Sequence, residues 1–199
     1  MGKTLEQRVA ELEKIVQELT KGKIETIRKN LGIGDTFELL GLKWKILDIV
    51  DGTYKCLAEK LEDGMAFDSN SNNWATSDLR EYLNGDFYKK LKAAVGEDNI
   101  VLMERDLLSL DGQIEYGKCE DNVSLLSFDE YRKYRALIPN TGDYYWWLLT
   151  PDSTPCNGDS TWVRVVSSSG YFGRYSYVDY FGVRPFVSFS SAIFESEDN

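Results

Sequence analysis

The sequence predicts an α+β fold. Helical patterns occupy the N-terminus and the middle of the chain, strand-like runs stand at both ends of the remaining domain, and turn residues punctuate those runs at hairpin spacing. With 42% hydrophobic residues in 199, there is apolar material for one packed core plus an appendage.

The first helix carries a heptad pattern. Leu5, Leu12 and Leu19 fall seven apart with Val9 and Val16 interleaved, so Val takes a and Leu takes d of a coiled-coil seam. Glu6, Arg8 and Glu13 flank the seam, and Ile15 widens it. A helix this short is marginal alone. It is expected to self-associate as a dimer or trimer through residues 5–19, the alternative being an amphipathic helix packed on its own domain. A second helical stretch, Ile24 to Leu31, leads into the domain, which gives boundaries of 1–31 and 32–199.

Strands follow. Phe37 and Leu39 lead to Gly41, and Trp44, Ile46 and Val50 alternate with Lys43 and Lys45. Asp51-Gly52 is a hairpin signal, with Tyr54, Cys56 and Ala58 on the return strand. A polar loop, Asp68 to Asn73, precedes Ser77, which caps a helix bearing Leu79, Tyr82, Leu83, Phe87, Tyr88 and Leu91. Ser127-Phe128-Asp129-Glu130 is a capping box for a helix to about Ala136. The last third holds strand-like runs at Trp146–Leu149, Trp162–Val166 and Val183–Phe189.

Composition narrows the chemistry. A net charge of −10 opposes binding to nucleic acid or to anionic lipid surfaces. No apolar run is long enough for a membrane span, and the start of the chain carries no apolar signal core. Three scattered cysteines, Cys56, Cys119 and Cys156, fit neither a disulfide framework nor a thiolate zinc site, so synthesis in a reducing cytoplasm is expected. The absence of histidine removes Ser-His-Asp triads, Cys-His pairs and imidazole metal sites. Asp152, Asn157 and Asp159 match no calcium loop, so neither metal nor cofactor is expected.

Four pieces stand in order: Trp74 to Gly85 (with Leu79-Arg80 and Leu83-Asn84-Gly85), Trp146-Trp147-Leu148-Leu149, Trp162-Val163-Arg164-Val165-Val166, and Gly182-Val183-Arg184-Pro185-Phe186. Together they resemble a widespread family of bacterial and phage domains. The ending is also similar to that of formylglycine-generating-enzyme-like C-type lectin folds. That resemblance implies a C-type lectin-like fold with small twisted antiparallel sheets and two or more helices under a loop-rich ligand face. Within this group the chain resembles the variable proteins of diversity-generating retroelements. In that class, adenine mutagenesis of Asn codons yields Tyr, Ser, Phe, Asp, Gly and Arg, and never Lys, Glu, Gln or Met. The chain has 14 Lys, 16 Glu, 3 Gln and 3 Met, and none lies in the 59 residues from Ala136 to Phe194. An even spread would place about ten there. A Gly/Ser-rich β segment accounts for part of this depletion, but exposed loops ordinarily recruit Lys and Glu.

Six of the 12 tyrosines fall between Tyr144 and Tyr180, in a stretch with the composition of an antibody paratope. The candidate ligand-binding residues are Tyr144, Tyr145, Arg164, Tyr171, Phe172, Arg174, Tyr175, Ser176, Tyr177, Asp179, Tyr180 and Phe181. Neither face of an alternating strand at 171–181 would be cleanly apolar, so an exposed aromatic loop is expected there. Trp146, Trp147, Trp162, Val163, Val165, Val183 and Phe186 read as scaffold, and Arg184 as a tie to a nearby carboxylate or carbonyl.

The resulting expectation is a non-catalytic protein that recognises a protein or cell-surface ligand, in several copies, on a phage virion or cell surface. Two alternatives stand beside it. One is an enzyme, either formylglycine-generating or a hydrolase using Asp143, Asp152 or Asp159; Cys156 has no close partner for the former, and turn formation explains these acids for the latter. The other is a structural module whose aromatic face is buried against another subunit.

Overall fold

The computed structural model describes residues 31–61 and 64–194, together with Leu5, Arg8, Val9 and Lys14, which are helical. The expected coiled-coil seam and the stretch from Ile24 to Asn30 otherwise lie outside the described residues.

The domain is mixed α+β. Its largest sheet has five antiparallel strands: β1 (Thr36–Leu39), β2 (Leu42–Val50), β3 (Thr53–Ala58), β12 (Phe186–Ser190) and β5 (Ile100–Val101), in that order. Both early hairpins have two-residue turns. Asp51 and Gly52 take φ of 48° and 71°, the left-handed pair that matches strand twist. Leu40 and Gly41 repeat that geometry at 56° and 73°, although Leu40 carries a Cβ that disfavours it. The last strand, β12, is inserted between β3 and β5, so the chain's end closes its central sheet.

The expected middle helix forms. Ser77 accepts the Arg80 N–H as N-cap, and helix α1 runs through Asp78–Tyr82, a π-helical turn at Leu83–Phe87, and Tyr88–Val95. Its buried stripe of Leu79, Leu83, Phe87 and Leu91 packs into the main core with Trp44, Trp74 and Trp147. Helix α2 (Phe128–Tyr134) starts at the expected capping box: Ser127 Oγ accepts from Glu130 N, and Glu130 accepts from Ser127 N. A hairpin of β6 (Met103–Asp106) and β7 (Lys118–Asp121) was not legible from the periodicity.

A second sheet carries the region of interest. β8 (Trp146–Pro151), β9 (Trp162–Val166) and β10 (Phe172–Ser176) are antiparallel in the order β10-β9-β8. One face buries Trp147, Val163 and Val165 in the main core; the other packs Trp146 and Val166 against Tyr131 of α2. A two-stranded ladder of β11 (Tyr180–Phe181) with β4 (Met65–Ala66) lies alongside. The expected strand from Val183 begins only at Phe186: Pro185 lacks an N–H, Gly182 pairs with Tyr145 and Trp147, and the Val183 carbonyl accepts from Leu61 N. Among the described residues no helix is long and apolar enough to cross a membrane.

Candidate functional site

The tyrosine-rich segment is not the loop expected from its alternation. Residues 172–176 form strand β10, registered from Phe172↔Val166 to Ser176↔Trp162 at the outer edge of the second sheet. The periodicity misleads because an edge strand over this sheet's rim exposes part of both faces, so neither face must be apolar.

None of the twelve candidate residues is buried, but they divide by position. Tyr171 and Tyr180 are 76% and 73% exposed, and Tyr145, Phe172, Arg174 and Tyr175 are also exposed. On one side of β10, Tyr175, Tyr145 and Phe181 form an aromatic cluster. Tyr175 and Phe181 lie 4.7 Å apart between ring centroids, Tyr145 and Phe181 stack at 5.9 Å, and Phe181 meets buried Trp147 edge-on at 4.9 Å. Gly173 permits this: a Cβ there would stand 3.1 Å from Val165 Cγ2 and 3.4 Å from the Tyr175 ring.

On the other side of β10, Phe172 packs on Phe128 and Tyr131 of α2. Next to it Asp152 accepts hydrogen bonds from both Arg164 Nη1, at 2.8 Å, and Arg174 Nη1, at 2.5 Å. Arg174 also lies over Trp162, a half-buried residue that opens β9. The salt bridges tie the residue after β8 to β9 and β10 and hold the exposed Arg174 guanidinium in place.

Other candidates serve the scaffold. Asp179 accepts from Ser176 N, while its own N–H donates to Ser176 O, so this pair builds the turn after β10. The Tyr177 carbonyl accepts from both Phe67 N and Asp68 N, and its half-buried ring packs on the core. Tyr144 sits apart from the cluster, beneath Lys60, whose Nζ is 4.9 Å from its ring centroid. Gly182 leaves room for both, since a Cβ there would come within 2.8 Å of the Tyr144 ring.

The remaining sequence pieces explain themselves as architecture. Buried Asp121 accepts from Trp74 Nε1 at 2.7 Å and from Arg80 Nε at 2.6 Å, and Asn84 Oδ1 accepts from the N–H groups of Asn122 and Val123. Asn72, fully buried, donates to the carbonyls of Ser153 and Trp162 and accepts from the Tyr116 hydroxyl. Arg184 donates from Nε to the Ala58 carbonyl, the carbonyl tie expected of it.

Several of the groups weighed for catalysis have other partners or raised pKa values. Burial pushes the Cys56 thiol well above its ordinary value and Cys119 up to about 11, while a hydrogen bond to Glu115 raises exposed Cys156. Raised thiols are poor nucleophiles at neutral pH. Asp159 accepts from Thr161 N, and Asn157 donates to Asp111. No cluster of metal-ligating side chains occurs among the described residues.

A family model described as a domain of unknown function, DUF6273, matches residues 51–191. No curated protein and no solved structure matches the chain.

Proposed function

The chain belongs to the DUF6273 domain family, and from that premise we propose that it is a non-catalytic binding protein whose ligand meets the aromatic rim of the second sheet. The observation that carries this reading is the set of exposed rings at Tyr145, Tyr171, Phe172, Tyr175 and Tyr180, gathered on and beside edge strand β10, whose neighbour β9 buries Val163, Val165 and Val166. Tyrosine offers wide contact area and a hydroxyl while immobilising few torsions, and Arg174 adds a fixed guanidinium fork. Anchors of these types contribute roughly 2 kcal/mol or more each at interfaces.

The same proposal includes the finer assignments that the sequence resemblance implies. These are a C-type lectin-like fold of the formylglycine-generating-enzyme subgroup, retroelement-driven diversification of the segment after Ala136, and display in several copies through residues 5–19 on a phage or cell surface. Avidity then multiplies a modest single-site affinity. Engagement of both Asp152 oxygens by arginines and the raised thiols weigh against the enzymatic alternatives.

The test uses fluorescently labelled full-length protein and a panel of intact bacterial cells. Where the protein adheres, the combined Tyr171→Ala, Tyr175→Ala and Tyr180→Ala variant should lose adhesion at least tenfold while its Tm stays within a few degrees of the parent. Adhesion that survives the triple change refutes the site. Tyr177 is a poor choice for this purpose, because its ring and carbonyl support the core.

A further inference from the structure

We propose that a second site, distinct from the aromatic rim, binds a small organic phosphate in the cleft floored by Arg184. The cleft has a volume of about 350 Å3, within the range of roughly 300–1,000 Å3 typical of small-molecule sites. Among the described residues its lining includes Arg184, Lys43, Lys45 and Lys60 against a single carboxylate, Glu59, in a chain whose net charge is −10. This concentrates positive charge where the rest of the molecule is acidic.

Arg184 is the decisive residue. It is only 6% exposed, and its Nε is spent on the Ala58 carbonyl while its plane lies over Trp146, 4.9 Å from the ring centroid. Its Nη1 and Nη2 have no hydrogen-bond acceptor and no carboxylate within ion-pair range among the described residues. Arginine is almost never this buried without an anionic partner, and its free Nη pair matches two oxygens of a phosphate or carboxylate. Burial lowers its pKa from the ordinary arginine value, partly opposed by Tyr144 and Glu59, but an arginine stays charged at any physiological pH.

The rim decides which oxyanion. Lys43 is 3.8 Å from Glu59, an exposed contact that screens weakly, Lys45 donates to the Gly34 carbonyl, and Lys60 leans on Tyr144. The lining therefore keeps an excess of positive charge that favours a dianion over a monoanion. The space beyond one phosphate, bounded by the Tyr144 ring, accommodates an organic moiety about the size of a sugar.

Isothermal titration of the full chain at about pH 8, where phosphate monoesters are dianionic, tests this with inorganic phosphate, glucose 6-phosphate and acetate at matched ionic strength. Both phosphates should saturate at one site, glucose 6-phosphate more tightly, and acetate should not saturate. Arg184→Lys, which keeps the charge and loses the fork, should weaken binding tenfold or more. So should the rim variant Lys43→Gln/Lys45→Gln/Lys60→Gln, which decides the matter if Arg184→Lys does not fold. Absence of saturation with both phosphates, acetate binding as tight as phosphate, or undiminished binding in the rim variant would each overturn the proposal.

Discussion

Trp74 and Arg80, close in the chain, meet the distant Asp121 in one buried arrangement, with Asp121 Oδ2 accepting from the Trp74 indole and Oδ1 accepting from Arg80 Nε and Cys119 Sγ. Removing the carboxylate leaves the Arg80 Nε–H and the buried Trp74 indole N–H without an acceptor, while the other Arg80 nitrogens keep the Ala75 and Glu120 carbonyls. Asp121→Ala should therefore lose about 3–5 kcal/mol of stability in urea unfolding, and a loss below about 1 kcal/mol would remove Asp121 from this role. Glu130 gives a pH signature. Burial alone would raise its pKa, but the hydrogen bonds and charge of Arg105 outweigh that and leave it lowered. A carboxylate lowered in the folded state stabilises above its unfolded value of about 4.3 and loses that contribution as pH falls through its folded value. Asp111, held at about 2 by Ser109, Ser153 and Asn157, acts in the same direction. Thermal melts between pH 7 and pH 2 should show stability falling on the acid side, less steeply in Glu130→Gln than in the parent.

At the level of elements, the two hairpins make a direct comparison. Asp51-Gly52 announces its turn because those residue types tolerate positive φ, whereas Leu40-Gly41 adopts the same geometry with a residue that does not. Leu40→Asn should accordingly stabilise the protein by about 0.5–1 kcal/mol in chemical unfolding; a destabilised variant would mean that the exposed Leu40 side chain outweighs its backbone cost. The same contrast explains what the sequence could reveal. Ser77 and Ser127 were legible as helix starts because capping is local chemistry. Strand β10 was not, because its alternation reports edge position, which depends on where β9 lies. The hub at Asp121 and the unpartnered fork of Arg184 were equally hidden: Trp74 and Arg80 show their motif locally, but their partner is some 40 residues away. For Arg184 the carbonyl tie was anticipated, while its gathering with Lys43, Lys45 and Lys60 arises only from the packing of β12 beside β3.

At the scale of the whole molecule, the five-stranded sheet closed by β12 and the three-stranded sheet between the main core and α2 form a framework with fully buried tryptophans at Trp44, Trp74 and Trp147. The aromatic rim adds little to that framework, since its rings stand on or beside an edge strand and a neighbouring ladder, and even Phe172, which touches α2, stays 45% exposed. A display library that saturates residues 144–181, sorted in parallel for protease resistance and for adhesion to the same cells, measures both properties at once. Substitutions at Tyr145, Tyr171, Phe172, Tyr175 and Tyr180 should leave resistance intact while abolishing or redirecting adhesion, whereas those at Trp147 and Val165 should destroy both. If the five rim positions instead lose resistance together with Trp147 and Val165, or leave adhesion untouched, the rim is not a recognition surface.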